Sequence, residues 1–380
     1  MGWFDEWHFN AGHGIVKPLQ SSNMRLVLSV MLAFACATLS AADSRPVFKI
    51  GAVLPLTGDL APNGQDMRDG MMLAIEDNPK TPVDYKLCLE DSQYVPHVTV
   101  EATLRLLTLE KTDCLVSLWS NAANIVSPVA ERYKTPHFST AWDTSVMNGR
   151  KWTLCYGPGI DKFTEDSIKI LREAGCKRVA IAGCVHSISS KVIPYSKELL
   201  ANKDIAFVSD QLVDPSERDM RGYILKLRES HPDGIFQLFE PPQDEIFNRQ
   251  CHELGFAPKT ATGWLDYYTA EARRYMNGCL YPSDLWAAES FHAKFRKRFA
   301  HDFVTDAPHG YDVATMIIKT VDDFYAKNAR LPTHEELLKA LKAPRELPDL
   351  MAGKGRMHEN GWLETPFVIR RMVNGKAVDL

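Results

Sequence analysis

Apolar positions along this chain come in short runs that alternate with stretches of helical spacing. "FKIGAVLPL" (Phe48 to Leu56) is an apolar run bounded by turn residues, as a strand covered on both faces should read. Met67, Met71, Ala74 and Ile75 then recur at the period of a helix face. The alternation continues. "VDYKLCLEDS" reads as a strand and "HVTVEATLRLLTLEK" as a helix. "DCLVSLW" is a strand, "ANIVSPVAERYK" a helix carrying Pro128 near its start, and "TPHFSTAW" a fourth strand. A strand–helix order of this kind predicts a parallel sheet with helices on both faces.

A second set of the same plan follows. "FTEDSIKILREAG" predicts a helix capped by Gly175, and "KRVAIAGCV" a strand. "KVIPYSKELLANKD", "IAFVSDQLV", "DMRGYILKLRESHPDG", "IFQLFE", "QDEIFNRQCHELGF" and "KTATGWLD" continue as helix, strand, helix, strand, helix and short strand. Two long helices come next, "SFHAKFRKRFAHDF" and "GYDVATMIIKTVDDFYAKNA". The chain closes with "ELLKALKA" and strand-like "PFVIRRMVNGKAV". The expectation is an α/β protein with two doubly wound parallel-sheet lobes, which also suits a length of 380 residues, more than one core comfortably holds.

The first stretch stands apart. Met24-Arg25 begins a short basic region, and Leu26 to Leu39 is an apolar run shorter than a membrane span needs. Small residues follow at Ser40-Ala41-Ala42. The pattern predicts a signal peptide over about residues 24–42, cut after Ala42, with the upstream residues as an extension before the true start. A single uncleaved anchor helix is the competing reading. Export would leave seven cysteines, Cys88, Cys114, Cys155, Cys176, Cys184, Cys251 and Cys279. An odd number requires at least one free thiol, and pairing is not deducible from spacing. Without C-x-x-C or zinc-spaced histidines, no metal site or cofactor is expected.

A formal charge of −4 and the absence of basic blocks argue against nucleic acid as a partner. G-x-S-x-G, H-E-x-x-H and Walker A patterns are all missing. "YGPGIDKF" has Gly157 and Gly159 but Lys162 where a third phosphate-loop glycine would stand. It reads as a turn that crosses between lobes. "GCVHSISS" reads as a strand end and polar loop rather than a Cys184–His186 pair. Ligands of doubly wound sheets bind beyond the carboxyl ends of the strands. Those ends read Pro55 to Gly58, Asp91 to Gln93, Trp119 to Asn121, Ser139 to Asp143, His186-Ser187, Glu240, and Trp264 to Asp266. Hydroxyls, amides, a few carboxylates and tryptophans suit grip on a small organic molecule better than bond-breaking.

"GAVLPLTGDLAPNGQDMRDGMMLAIED" resembles the opening of the periplasmic leucine/isoleucine/valine-binding family, through Pro55, Thr57, Gly58, Ala61, Gly64, Gly70, Leu73 and Ala74. "LVSLWSNAANIVSPVAERYKTPHFST", "HGYDVATMIIKTVDDF" and "MAGKGRMHENGWLETPFVIRRMVNGK" resemble three later stretches of that family in the same order, so that the likeness spans about residues 47–380. The resemblance implies a type I periplasmic binding protein fold with a three-segment hinge, and no enzymatic activity. Its crossings are expected near Gly157-Pro158, Cys279-Leu280 and Pro344. That division gives residues 47–157 with 281–343 as the first lobe and 158–280 with 344–380 as the second.

The resemblance also implies a role: capture of an amino acid or similar solute between the lobes and delivery to ABC permease subunits of an inner membrane, as a monomer. A ligand sensor of the same fold, and an amide, urea or aromatic acid as ligand, are the alternatives. It implies that Ser120 receives a ligand carboxylate and that the carbonyl of Ala141 accepts from the ligand amine. Asp143 stands where the family often has threonine; it would favour a cationic amine if it faces the cleft, and otherwise caps the next turn. Thr57, Trp119, Trp142, Ser187, Glu240 and Trp264 complete the expected ligand-binding set. In the second lobe the fit to the family worsens, because "HSISSKVIP" lacks an aromatic residue before Tyr195.

Overall fold

The computed structural model describes residues 45–186, 188–202, 204–262, 264–268, 270–284, 287–351 and 353–380. The expected signal segment and its upstream extension lie outside the described residues, as does Ser187.

Strand β1 (Val47–Leu54) is almost wholly buried, and it organises the larger sheet. Helix α1 (Ala61–Glu76) returns the chain to β2 (Asp84–Asp91), and α2 (Pro96–Arg105) leads to β3 (Cys114–Ser117). Helix α3 (Trp119–Tyr133) then leads to β4 (His137–Ser139), and a 3-10 turn (Thr144–Met147) to β5 (Thr153–Tyr156). Strand β2 pairs with one edge of β1 and β3 with the other, all parallel. The order of connection therefore reverses between β1 and β3, which opens a crevice at their carboxyl ends.

The second lobe repeats the device. Helix α4 (Ile160–Glu173), β6 (Arg178–Cys184), α5 (Ser189–Ala201) and β7 (Ala206–Val213) are followed by α6 (Arg221–Glu229), β8 (Gly234–Leu238), α7 (Gln243–Glu253) and β9 (Lys259–Ala261). The sheet runs β7-β6-β8-β9, all parallel, so its reversal falls between β6 and β8. Short helix α8 (Ala270–Tyr275), strand β10 (Leu280–Ser283) and helices α9 (Glu289–Phe299), α10 (Ala307–Asn328) and α11 (His334–Leu341) come next.

The closing strands correct the expected lobe boundaries. Strands β11 (Arg345–Leu350), β12 (Gly353–Met357) and β13 (Trp362–Glu364) join the first sheet, with β13 parallel to β5. Met357 and Leu363 are fully buried in the same core as Phe48, Leu54 and Tyr156, which draws this segment to the first lobe. Only β14 (Val368–Val373) and β15 (Lys376–Asp379) belong with the second lobe, where they pair antiparallel with β10. Strand β10 sits there too, its Tyr281 and Met372 of β14 sharing a core with Phe163 and Phe236. The crossings thus fall at Gly157–Gly159, just after Ser283 and around Thr365, rather than at Cys279-Leu280 and Pro344.

One further expectation changes. Trp119 opens a helix instead of ending a strand, which puts Pro128 well inside α3. The glycines of the opening motif have a packing cause. A Cβ on Gly70 would stand 1.9 Å from the carbonyl oxygen of Ala307, and one on Gly310 2.2 Å from that of Met67. Helices α1 and α10 therefore cross at backbone contact, a distance only glycine permits. All seven cysteines among the described residues are free thiols, six of them buried.

Candidate functional site

Strand β3 delivers the chain to Trp119, whose φ of +60° is uncommon for a bulky residue. Strain of this kind costs about 1–3 kcal/mol and persists only where the surroundings hold it. Here the Trp119 N–H donates to Thr140 Oγ1 at 3.2 Å and its Nε1 donates to Asp306 Oδ1 at 3.1 Å. The ring packs edge-on against Tyr94 and Tyr267, with centroids 6.0 and 5.8 Å away. The turn aims Ser120 and Asn121, in the first turn of α3, at the cleft. A helix N-terminus carries unpaired N–H groups and partial positive charge, and so favours an anion. Ser120 is 1% exposed, and its Oγ accepts the Asp143 N–H at 3.2 Å. That hydroxyl meets a backbone amide, not a base.

The opposite wall comes from the second sheet's reversal. Loops after β6 and β8 bring His186 and Glu240 together. His186 Nδ1 accepts from the Ser189 N–H at 3.1 Å, while Nε2 faces the Leu238 carbonyl at 3.2 Å and donates to it. Burial pushes the Glu240 carboxyl above its ordinary value, and His186 pulls the other way. Beyond β9, Trp264 stacks on Phe163 at 4.6 Å, packs edge-on to Trp142 at 5.9 Å, and donates from Nε1 to the Phe239 carbonyl. Tyr267 stands edge-on to both Trp119 and Trp142. Trp142 is held tightly on its far side: a Cβ on Gly157, at the first crossing, would lie 2.5 Å from its Cδ1.

These side chains enclose a cavity of about 50 Å³ with Trp119, Trp142, Trp264 and Tyr267 as aromatic walls. Ser120, Asn121 and Thr140 line it from the first lobe, and Ile188, Glu240 and Pro241 from the second. It adjoins an outer cleft of about 440 Å³ bordered by Gln93, His186 and Gln243; Tyr94, Asn121, Glu240 and Pro241 line both.

A buried polar chain runs behind the walls. Tyr267 Oη donates to Asp284 at 3.2 Å. His309 Nε2 lies 3.3 Å from Asp284, and its Nδ1 lies 3.8 Å from Asp306, the acceptor of Trp119 Nε1. Burial alone would lower the His309 pKa, but Asp284, Asp306 and Asp312 outweigh it and raise the value. Asp284 is at the second crossing, so this chain connects the two walls through the hinge.

Of the residues expected from the sequence, Trp119, Ser120, Trp142, Glu240 and Trp264 meet at the cavity. Two others, Thr57 and Asp143, hold different partners, and the side chain of Ala141 packs away from the cavity. Thr57 is exposed, and its Oγ1 donates to Asp91 Oδ2 at 2.5 Å; the same carboxylate takes the Leu56 and Gln93 N–H groups and pins the loop. The Ala141 methyl is buried beside Val146, Met147 and Cys155, outside the cavity lining. Asp143 caps the Thr144–Met147 turn through Ser145 N–H at 3.0 Å and pairs with Lys191 from the second lobe, so its carboxylate is already occupied. Cys184 is buried in a core cluster, as the strand-end reading of its loop requires. Tyr94, Thr140, Asn121 and Tyr267 were not singled out. Thr140 and Asn121 stand in the strand-end loops already quoted, while Tyr94 and Tyr267 each follow one by a single residue.

The family model described as periplasmic binding protein matches residues 47–377. A Leu/Ile/Val-binding protein homolog 8 from Brucella suis is 22% identical over 255 residues, 63% of this chain and 63% of that protein. The chain thus matches under two thirds of the length of these curated relatives. Among solved structures, a leucine-binding protein from Thermotoga maritima superposes with a TM-score of 0.77 at 18% identity, covering 88% of this chain and 97% of that one. A solute-binding protein of an ABC transporter from Rhodopseudomonas palustris, in complex with 4-hydroxybenzoate, gives 0.79 at 17% identity over 88% and 95%. The branched-chain amino acid transporter substrate-binding protein of Streptococcus pneumoniae, in complex with isoleucine, gives 0.76 at 17% identity over 87% and 97%. Likenesses at this identity carry the fold.

Proposed function

The chain belongs to the periplasmic binding protein family, and from that premise we propose that it is an exported solute-binding protein. It captures an amino acid with an apolar or aromatic side chain between its lobes and presents it, unreacted, to the permease subunits of an ABC importer. The observation that carries this reading is the order of residues around a largely apolar cavity: the first turn of α3 with Ser120 and Asn121 lines it from the first lobe, Glu240 lines it from the second, and four aromatic rings wall it. A zwitterion with an apolar side chain matches that order of groups.

Aromatic carboxylates form a second reading. The aromatic walls favour it, and similar solved structures hold 4-hydroxybenzoate and benzoate. Glu240 separates the two, because a benzoate has no cation to offer it. A thermal-shift screen of the purified protein against amino acids, amides, urea and benzoates, with calorimetry on the hits, makes the test. A ligand at 100 times its Kd should stabilise the fold by roughly 2.7 kcal/mol and raise Tm by about 2 °C or more. Glu240→Gln should weaken an amino acid about tenfold or more and leave a benzoate unchanged. A flat screen on folded protein, or release of a product from a bound ligand, overturns the reading.

A further inference from the structure

Tyr94 lies just past the end of β2, at the border between the inner cavity and the outer cleft. Its backbone is unusual. Gln93 and Tyr94 both have left-handed φ, +49° and +57°, two non-glycine residues in succession. Such conformations are uncommon and need external support. The loop supplies it: Asp91 Oδ1 accepts the Gln93 N–H at 2.9 Å and Ser92 Oγ accepts the Tyr94 N–H at 3.2 Å. This strain delivers the phenol ring edge-on against Trp119, at 6.0 Å.

The hydroxyl at the end of that ring is buried and has no hydrogen-bond partner in good geometry. Burial raises its pKa well above the ordinary value; Glu240 adds to the rise and the Asn121 amide works against it. The hydroxyl's own proton is therefore left without an acceptor in the fold. A buried donor with nothing to receive its proton is destabilising, and such groups in native folds call for an explanation. The phenol stays protonated throughout the neutral range, and it stands beside the α3 N-terminus where Ser120 and Asn121 gather.

We propose that Tyr94 is a specificity-determining residue whose hydroxyl donates its proton to a ligand carboxylate seated at the N-terminus of α3. This rests on the reading of the cavity as a solute site. It narrows the solute to one that presents a carboxylate to the first lobe, a feature common to amino acids and benzoates. No bond is made or broken; the ligand supplies the acceptor that the unliganded protein lacks.

The test pairs wild-type protein with Tyr94→Phe, which removes the hydroxyl and keeps the ring. Calorimetry uses L-phenylalanine, L-leucine, benzoate and 4-hydroxybenzoate. Phenethylamine, isoamylamine and benzyl alcohol serve as counterparts without the carboxylate. Tyr94→Phe should weaken any carboxylate that the wild type binds by about tenfold or more, the scale of a hydrogen bond to a charged group. The counterparts should bind both proteins alike. The unliganded variant should melt at the same temperature as wild type or higher, because its lost hydroxyl has no acceptor to miss; a residue that merely supported the fold would lower it. Equal carboxylate binding by both proteins overturns the proposal and leaves the solute-site reading standing. So does equal weakening of carboxylates and counterparts. A wild type that binds nothing in the panel rejects the functional reading, and the proposal with it.

Discussion

The two walls of the cavity are built on different principles. On the first-lobe side, position is fixed by hydrogen bonds to the backbone and to buried acids: Thr140 on the Trp119 N–H, Asp306 on its indole, Ser120 on the Asp143 N–H. On the second-lobe side it is fixed largely by rings packed on rings, with Trp264 on Phe163 and Trp142 among them. One wall is polar and directional. The other is a continuation of a hydrophobic core that contains Trp142, Trp264 and Tyr267 alongside Phe163 and Phe236. Directional contacts suit a group shared by many solutes, such as a carboxylate, whereas a packed wall selects by shape.

The sharpest way to break this contrast is to remove a ring from each side. Trp264 is 8% exposed and stacked, so Trp264→Ala should leave a cavity and cost about 3–5 kcal/mol in denaturant unfolding. Trp119 is only half-buried, and its φ of +60° is strained, so Trp119→Ala should cost clearly less while still weakening ligand binding. Equal losses from the two substitutions would mean that the walls do not differ in construction.

The polar layer under the first-lobe wall offers the next test. Asp66, on α1, accepts the N–H groups of Val304 and Thr305 through one oxygen at 2.6 and 3.2 Å. Burial still raises its pKa from 3.8 to about 7, with Asp306 adding to the rise. A carboxyl raised in the folded state stabilises it fully below the unfolded value, and that contribution is lost as pH climbs through the folded one. Wild-type stability relative to Asp66→Asn should therefore fall between about pH 4 and pH 7, by the order of 2–4 kcal/mol, and level off above. Parallel stability curves for the two proteins across that window would place Asp66 in an ordinary solvated setting. Asp266, a buried acid of the second lobe, also has a raised pKa from burial, but Ser283, Arg370 and Tyr281 work against the rise.

The same contrast decides what the sequence made legible. Much of the first lobe could be read because its motif residues are steric requirements: Gly64, Gly70 and Leu73 sit where α1 meets β1 and α10. The buried runs of β1 and β6 announced strands. Strands β12 and β13 did not, since "GKGRM" is short and polar, "WLE" is only three residues long, and β13 pairs with β5, some two hundred residues earlier in the chain. At the site, Trp119, Ser120, Trp142, Glu240 and Trp264 were reachable because strand ends converge at switch points. Thr57, Ala141 and Asp143 stand at strand ends too, but here local partners occupy or bury their side chains. Tyr94 was not reachable, because its placement depends on two consecutive left-handed residues that no side chain in "DSQY" foretells.

The smallest effect concerns what joins the walls. Lys191 on α5 reaches Asp143 in the first lobe, and Arg218 reaches Asp59 at 3.0 Å. Both pairs cross the cleft, so they are made only when the lobes are together, and each adds to closure rather than to the stability of either lobe. Lys191 is 41% exposed and the Arg218 pair lies wholly at the surface, so solvent screens them strongly. Exposed pairs contribute about 0.2–1 kcal/mol, which is roughly a factor of 1.5 to 5 in affinity. Lys191→Gln should weaken ligand binding by that factor at low salt and leave it unaltered near 1 M salt, where the Debye length is about 3 Å. Arg218→Gln should do less, since Asp143 is 3% exposed and Asp59 is 62%. A fall in Tm of the unliganded protein with unchanged affinity would mean that these charges hold loops rather than lobes. The closed form would then depend on the aromatic contact between Trp119 and Tyr267 and on the polar chain through His309.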